Sequence, residues 1–415
     1  SSKNRNNSKK NNFVHLKGES YINANFKFLV DFRGDYKNQI FDPNVPIEHY
    51  SILRVIVQKK ISCPICLEEN LIAPRMINCG HCFCLTCLLR FSSNNLVSLE
   101  NCKNKKKQCP VCHYKVNNDL ILPVLIDSTF DERFDLPKPN LDCLMNLLIK
   151  PHNSILSLPI SNNPNFKKLT NIPWCCSSHD ELNNLSQEIY PYTRIMKGNL
   201  NFIINQYKLE KSAILSQFNE DLLLYRGNKA ATDDLQLYVN KAISEIDESI
   251  EIFEKKFSIH INNKTYNEAN SYFYYQTSFK SNIVYLLSSF DRRILRSLFV
   301  SYGNFPSNIL IRIQNITYGE ILTFENVIRE YKYLSHLPVG SELAFIEIDW
   351  QYMAKNCKTN ENYIKLPSNI YNEFKKEIIN RWKKNKDRYY REERNKQNAM
   401  KSLEKKTKDF YRAEN

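Results

Sequence analysis

Apolar positions along this chain follow three successive patterns. Up to about residue 160 they come in short runs separated by turn formers: residues 21–30 read as extended, Arg33-Gly34-Asp35 as a turn, and residues 51–57 as a β-branched strand. The pattern predicts a short helix opening at 84–89 with Phe91 one turn past Cys87, a strand at 120–126, and a hairpin over 143–158 broken at Pro151-His152-Asn153. Residues 161–180 read as connecting loop. From 185 to 257 the period becomes helical, with Phe202, Ile203, Tyr207, Ile214, Phe218 and Leu222, then Leu235, Val239, Ile243, Ile246, Ile250 and Phe253, at spacings of three and four. Gly227-Asn228 divides it into a helical hairpin, expected to serve as a spacer, with a core element or a coiled-coil partner surface as alternatives.

Strands return at 272–276, 282–286, 309–316 and 343–350, with a helix at 291–299 and a helix or irregular crossover at 324–333, which together read as a small mixed domain. The last stretch, 366–415, holds no Gly and no Pro after Pro367 and reads as one long helix. Its apolar stripe of Phe374, Ile378 and Trp382 fades after Tyr390. The expected division is a basic tail (1–18), an N-terminal wing (19–62), a cysteine-rich segment (63–115), a hairpin and loop (116–182), the helical hairpin (183–263), the mixed domain (264–352) and the basic helix (353–415). The fold class is α+β, multidomain.

With 415 residues and 42% apolar content the chain can bury several cores. It contains no run of eighteen apolar residues, so no membrane span is expected. The net charge of +14 is unevenly placed. The tail to Lys17, the run Lys103, Lys105, Lys106 and Lys107, and residues 374–408 carry +5, +4 and +9, which leaves the remainder at −4. Clustered cations around a mildly acidic body are the footprint of a polyanionic partner, because each neutralised phosphate releases counterions. In the last helix Arg381, Lys383, Lys384, Lys386 and Arg388 are the candidate contacts. Aromatic runs such as Tyr272-Phe273-Tyr274-Tyr275 could stack bases, although packing is the commoner reason for them.

The residues that demand a particular chemistry lie between Cys63 and Cys112. Cys63-Pro-Ile-Cys66, Cys79-Gly-His81, Cys84-Leu-Thr-Cys87 and Cys109-Pro-Val-Cys112 supply eight thiol or imidazole ligands in pairs. Four such ligands close a tetrahedral Zn²⁺ site with no position left for water, and two sites use all eight. A disulfide framework would call for an export signal, and residues 1–12 are polar and basic. Thirteen cysteines in an intracellular chain are better read as ligands and reduced core residues; Cys175-Cys176 with His179 is a weak hint of a third site.

Seven cysteines with one histidine in fourth place resemble a RING finger. The resemblance implies a crosswise arrangement, Cys63, Cys66, Cys84 and Cys87 on one structural zinc and Cys79, His81, Cys109 and Cys112 on the other, in a segment too small to fold without metal. It also implies a groove for a ubiquitin-conjugating enzyme formed by Ile65, Phe91 and Pro110. His113 stands where active RING domains often carry Arg or Lys to bridge ubiquitin, which points to modest activity and mono-ubiquitylation.

Flanking stretches, Asn23-Ala24-Asn25-Phe26 with Asp42-Pro43, Tyr192-Thr193-Arg194-Ile195, Tyr272-Phe273-Tyr274-Tyr275-Gln276 and Tyr333-Leu334-Ser335-His336-Leu337-Pro338 before Phe345-Ile346-Glu347-Ile348, are similar to those of the RING finger protein ten family. That family implies a cytoplasmic ubiquitin ligase, with the conjugating enzyme and ubiquitin as partners, acting on small ribosomal subunit proteins beside ribosomal RNA. The rival expectation is a non-catalytic scaffold in an RNA-binding or transcription complex.

Overall fold

The structure, a computed structural model, describes residues 14–58, 60–93, 107–127, 136–152, 154–160, 172, 175, 190–198, 200–254, 271–277, 282–357, 360 and 362–413. The described residues open with α1 (Glu19–Asn25) and β1 (Lys27–Asp31), where the sequence pattern predicts one extended run. Ile22 and Phe26 stand four apart as well as on alternate positions, so the stretch fits both periods. Gly18, at φ 58°, turns the chain into the helix, and the Phe26 amide closes it on the Ile22 carbonyl.

A short α2 (Lys37–Phe41) leads to β2 (Ile52–Val57), the expected β-branched strand. Next come β3 (Pro74–Met76), β4 (Cys82–Cys84), α3 (Leu85–Ser93) and β5 (Leu122–Ile126). The hairpin that follows is β6 (Asp142–Pro151) with β7 (Leu158–Pro159), antiparallel as expected. Residues 195–198, expected to open the helical segment, instead form β8 (Ile195–Gly198), parallel to β1; the helix begins at Leu200. Four residues ending in a glycine give too little alternation to be read as a strand.

Six strands form the first sheet in the order β4-β3-β5-β2-β1-β8. The cysteine-rich segment supplies β3 and β4, so the zinc-ligand region is continuous through β5 with the N-terminal wing rather than appended to it. Across this sheet lies the helical hairpin, α4 (Leu200–Leu224) and α5 (Lys229–Glu254). It is not a spacer. Phe202, Ile203, Tyr207, Ile214 and Phe218 of α4 share one buried cluster with Leu29, Leu53 and Ile56 of the sheet and with Ala73 and Leu85, which flank β3 and open α3.

The remainder comprises β9 (Ser271–Thr277), β10 (Ile283–Leu287), α6 (Ser289–Phe299), β11 (Asn308–Ile321), α7 (Phe324–Arg329), β12 (Glu342–Ile348), α8 (Trp350–Asn356) and α9 (Ser368–Ala413). The hairpin strand β6, expected outside this unit, belongs to its sheet. β6, β9 and β10 run antiparallel in sequence, β10 lies parallel to β12, and β12 is antiparallel to β11. The other half of the long β11 returns to β6, with Ile309 opposite Met145, and closes a five-stranded barrel. This strand order, with a helix between the third and fourth strands, is OB-like. Met145, Leu147, Tyr275, Tyr285, Ile311 and Ile346 belong to the large cluster that fills this unit.

The outer faces of β9, β10 and β12 are covered by the chain's own residues: Tyr274, Leu286 and Leu343 pack under Leu322, Tyr331, Tyr333 and Leu334. The aromatic runs that could have stacked bases are therefore core packing. α9 starts on the barrel through Phe374 and Ile378, then runs on with exposed residues, as its fading apolar stripe predicts.

Candidate metal centres and the face around them

Each metal knuckle is built by the same local device. The amide of Leu67 donates to the Cys63 carbonyl at 2.8 Å and that of His113 to the Cys109 carbonyl at 2.9 Å. Both residues, Leu67 at φ 63° and His113 at φ 60°, sit in the left-handed region, an uncommon conformation for residues with a Cβ. This curls each Cys-Pro-x-Cys so that its two sulfurs face the same point. Backbone amides then support the sulfurs: Ile72 N lies 3.3 Å from Cys84 Sγ and Val111 N 3.4 Å from Cys109 Sγ.

The ligands converge in two groups, Cys63, Cys66, Cys84 and Cys87, and Cys79, His81, Cys109 and Cys112, each with its ligand atoms within 4.8 Å of one another. Cys66 and Cys84 Sγ are 3.8 Å apart, and His81 turns Nδ1 toward Cys79 and Cys109 Sγ at 3.3 and 3.6 Å. A tetrahedron with Zn–S bonds of about 2.3 Å has edges of about 3.8 Å. The donor set and its spacing fit two structural Zn²⁺ ions held crosswise, with all positions filled by protein and none left to activate water. Among the described residues no third group gathers; Cys175 is buried, while Cys176 and His179 lie outside the described residues.

The three residues expected to form the conjugating-enzyme groove occupy different environments. Ile65 is 38% exposed on the first knuckle, Pro110 is exposed on the second, and Phe91 is half-buried against the finger's own core. Leu67, 76% exposed, and the exposed Val111 add apolar surface that the sequence reading missed, since both look like filler next to a ligand. His113 is exposed on the second knuckle.

Two of the expected polyanion contacts are corrected. Lys107 turns inward, donating to the carbonyls of Phe91 and Ser92 at the end of α3 and lying over the Phe91 ring, where burial lowers its pKa. Arg381 lies against the barrel: Nη1 and Nη2 reach Asp291 Oδ2 and Oδ1 at 2.8 and 3.0 Å, and Nη2 also reaches the Ile348 carbonyl. Asp291 is fully buried and also accepts from Trp350 Nε1 at 2.7 Å, Ser288 Oγ at 2.6 Å and the Ile348 amide at 3.2 Å. A cation on the buried face of an amphipathic helix is, in sequence, indistinguishable from its exposed neighbours. Lys383, Lys384 and Lys386 are exposed, with Lys386 over the rings of Trp382 and Tyr390, and Arg388 is half-buried against Asn385. Lys103, Lys105 and Lys106 lie outside the described residues.

A buried ionic cluster ties the finger to the hairpin. Glu210 on α4 binds Arg54 of β2 and, at 3.1 and 3.2 Å, Arg75 of β3. Burial opposes the Glu210 carboxylate, but the two guanidinium groups outweigh it and hold its pKa below the ordinary value. Farther along, Arg90 of α3 pairs with Asp234 of α5 at 3.2 Å and lies over the Tyr238 ring.

Residues 63–110 match the family model of the RING-type zinc finger. The chain is 34% identical to the E3 ubiquitin-protein ligase MAG2 of Saccharomyces cerevisiae across 97% of its own length and 60% of that protein's. It is 29% identical to an uncharacterized RING finger protein of Schizosaccharomyces pombe, across 92% of this chain and 58% of that one. It therefore spans about 60% of the length of these relatives. A shorter likeness, 31% over 83 residues and 20% of this chain, is to the mouse E3 ubiquitin-protein ligase TRIM31, of which it covers 14%. No solved structure matches. The chain thus carries a RING-type zinc finger with its ligands gathered in two crossed sets, and its likeness to MAG2 runs through nearly all of its length.

Proposed function

We propose that this chain is a RING-type ubiquitin ligase that recruits a ubiquitin-charged conjugating enzyme and directs ubiquitin to proteins of the small ribosomal subunit. The observation that carries the ligase reading is the exposure of Ile65 and Pro110 on two zinc-braced knuckles, with Phe91 at the end of α3. Both zinc sites are saturated by protein, so the metals shape this face and do no chemistry. Transfer is accelerated by holding the flexible thioester conjugate in one orientation near a lysine, an effect of proximity rather than of acid–base catalysis. The apolar anchors are few and small, which suits a complex that forms and releases in every cycle.

An imidazole lacks the five-donor fork of a guanidinium, so His113 supplies a weaker bridge to ubiquitin than an Arg there would. This favours slow, single additions. The ribosomal substrate is supported by Lys383, Lys384 and Lys386 displayed on a helix that extends past the barrel, as contacts for ribosomal RNA, and a cytoplasmic site of action goes with that proposal. The decisive experiment is discharge of a preloaded conjugating enzyme onto free lysine, then onto purified small subunits. Accelerated discharge that is lost in Ile65→Ala is the expected result. Discharge at background across a panel of conjugating enzymes would make the chain a RING scaffold, a reading that His113 favours.

A further inference from the structure

Between the first zinc knuckle and the end of the helical hairpin runs a groove of about 310 Å³. Cys66, Glu68 and Arg90 line it on the finger side, and Asp221, Leu224 and Tyr225 on the hairpin side. We propose that the hairpin tip is a second docking element for the conjugating enzyme, extending the Ile65, Phe91 and Pro110 face across this groove. The inference rests on the ligase reading above and deepens it.

Continuity is the first argument. Cys66 and Arg90 in the groove are the immediate neighbours of Ile65 and Phe91 in sequence, so a protein seated on those anchors reaches the groove without a second approach. Rigidity is the second. Glu210 locks α4 to β2 and β3, Ile214 and Phe218 pack with Ala73 and Leu85, and Arg90 holds α5 through Asp234. The tip therefore keeps one position relative to the finger, and little ordering cost is added on binding.

Surface chemistry is the third argument. Leu223 and Leu224 are 73% and 79% exposed, beside the half-exposed Tyr225, and apolar side chains that cluster in this way mark interaction sites. Charges of both signs border them, Glu68, Asp221 and Arg90 in the groove and the exposed Arg226 and Lys229 beside the tip. Exposed apolar side chains ringed by charges of both signs suit a protein face that complements them rather than a uniformly anionic partner such as RNA.

The test uses the full chain and a conjugating enzyme that the wild type discharges. In the variant Leu223→Ser, Leu224→Ser, Tyr225→Ser, the affinity for that enzyme is expected to weaken roughly fivefold or more. The KM for the charged enzyme should rise in step, while the discharge rate at saturation stays near wild type. L209S, an exposed leucine of the same helix outside the groove, is the control for helix integrity. Unchanged affinity in the tip variant, with Ile65→Ala still weakened, would overturn this inference and leave the ligase reading intact. Failure of the wild type to bind or discharge any enzyme of the panel would remove both. A drop in molar mass by light scattering in the tip variant alone would assign the tip to a second copy of this chain and overturn the proposal.

Discussion

Asp291 shows how much a single side chain settles. It sits in the first turn of α6, is fully buried, and joins the barrel, Trp350 and the long C-terminal helix through one carboxylate. Removing its charge leaves the Arg381 guanidinium desolvated and unpaired. Asp291→Asn is therefore expected to cost about 3–5 kcal/mol in urea unfolding, and Asp291→Leu with Arg381→Met recovers only part of that loss, because Trp350 Nε1 and the Ile348 amide lose their acceptor. His336 offers a test by pH. Buried among Tyr274, Lys150 and Arg194, it has a pKa well below 6.5, because burial and then the two cations oppose its charge. The unfolded chain takes up that proton near pH 6.5 and the folded chain does not, so stability falls as pH drops below 6.5. His336→Gln should flatten that dependence; an unchanged profile would place the acid sensitivity elsewhere. The zinc ligands needed no structure to be found, because thiolate pairs at these spacings have few other uses. Arg381 and Lys107 did need it, since burial is not written in a residue's own identity.

Among the elements, the hairpin and the first sheet differ most from what the pattern suggested. The helical period of α4 and α5 is legible, but the period says only that a face is apolar, and the partner of that face lies about 150 residues earlier in β2 and β3. Glu210 makes the point: a lone acid on the apolar side of a helix reads as an interruption, and it proves to be the counter-ion of two arginines from other elements. Glu210→Ala should strand Arg54 without a counter-charge, leave Arg75 only Glu245 at 4.0 Å, and lower stability by about 3–5 kcal/mol. Comparing the thermal melt and zinc content of that variant with those of wild type checks this. At the docking face, Ile65→Ala removes one exposed anchor and leaves the ligands untouched. Two bound zincs with slowed discharge is the expected outcome.

At the scale of the molecule, the zinc finger is a structural part of the body. Because β3 and β4 extend a sheet that also contains β5, β2, β1 and β8, losing metal should loosen more than the finger. Chelation, or Cys63→Ser, is predicted to raise amide exchange in β5 as well as in residues 63–93, while the barrel strands β10 and β12 stay protected; loss confined to the finger would contradict this coupling. The positive charge is likewise laid out by element. Neutralising Lys383, Lys384 and Lys386 should weaken binding to small ribosomal subunits and lower the slope of log affinity against log salt by about 3, one unit per phosphate contact. An unchanged slope would separate the helix from ribosomal RNA.

The amino-acid sequence by itself determined the metal chemistry, the hairpin and the long charged helix, because ligand spacing and helical period are local and survive without neighbours. Only the tertiary structure decided that β11 closes a barrel on β6, that both faces of the aromatic strands are covered by the chain itself, that a short strand precedes α4, and that the finger is braced by the hairpin. Those outcomes depend on which apolar faces meet, and nothing in the spacing of one segment names the segment that will cover it.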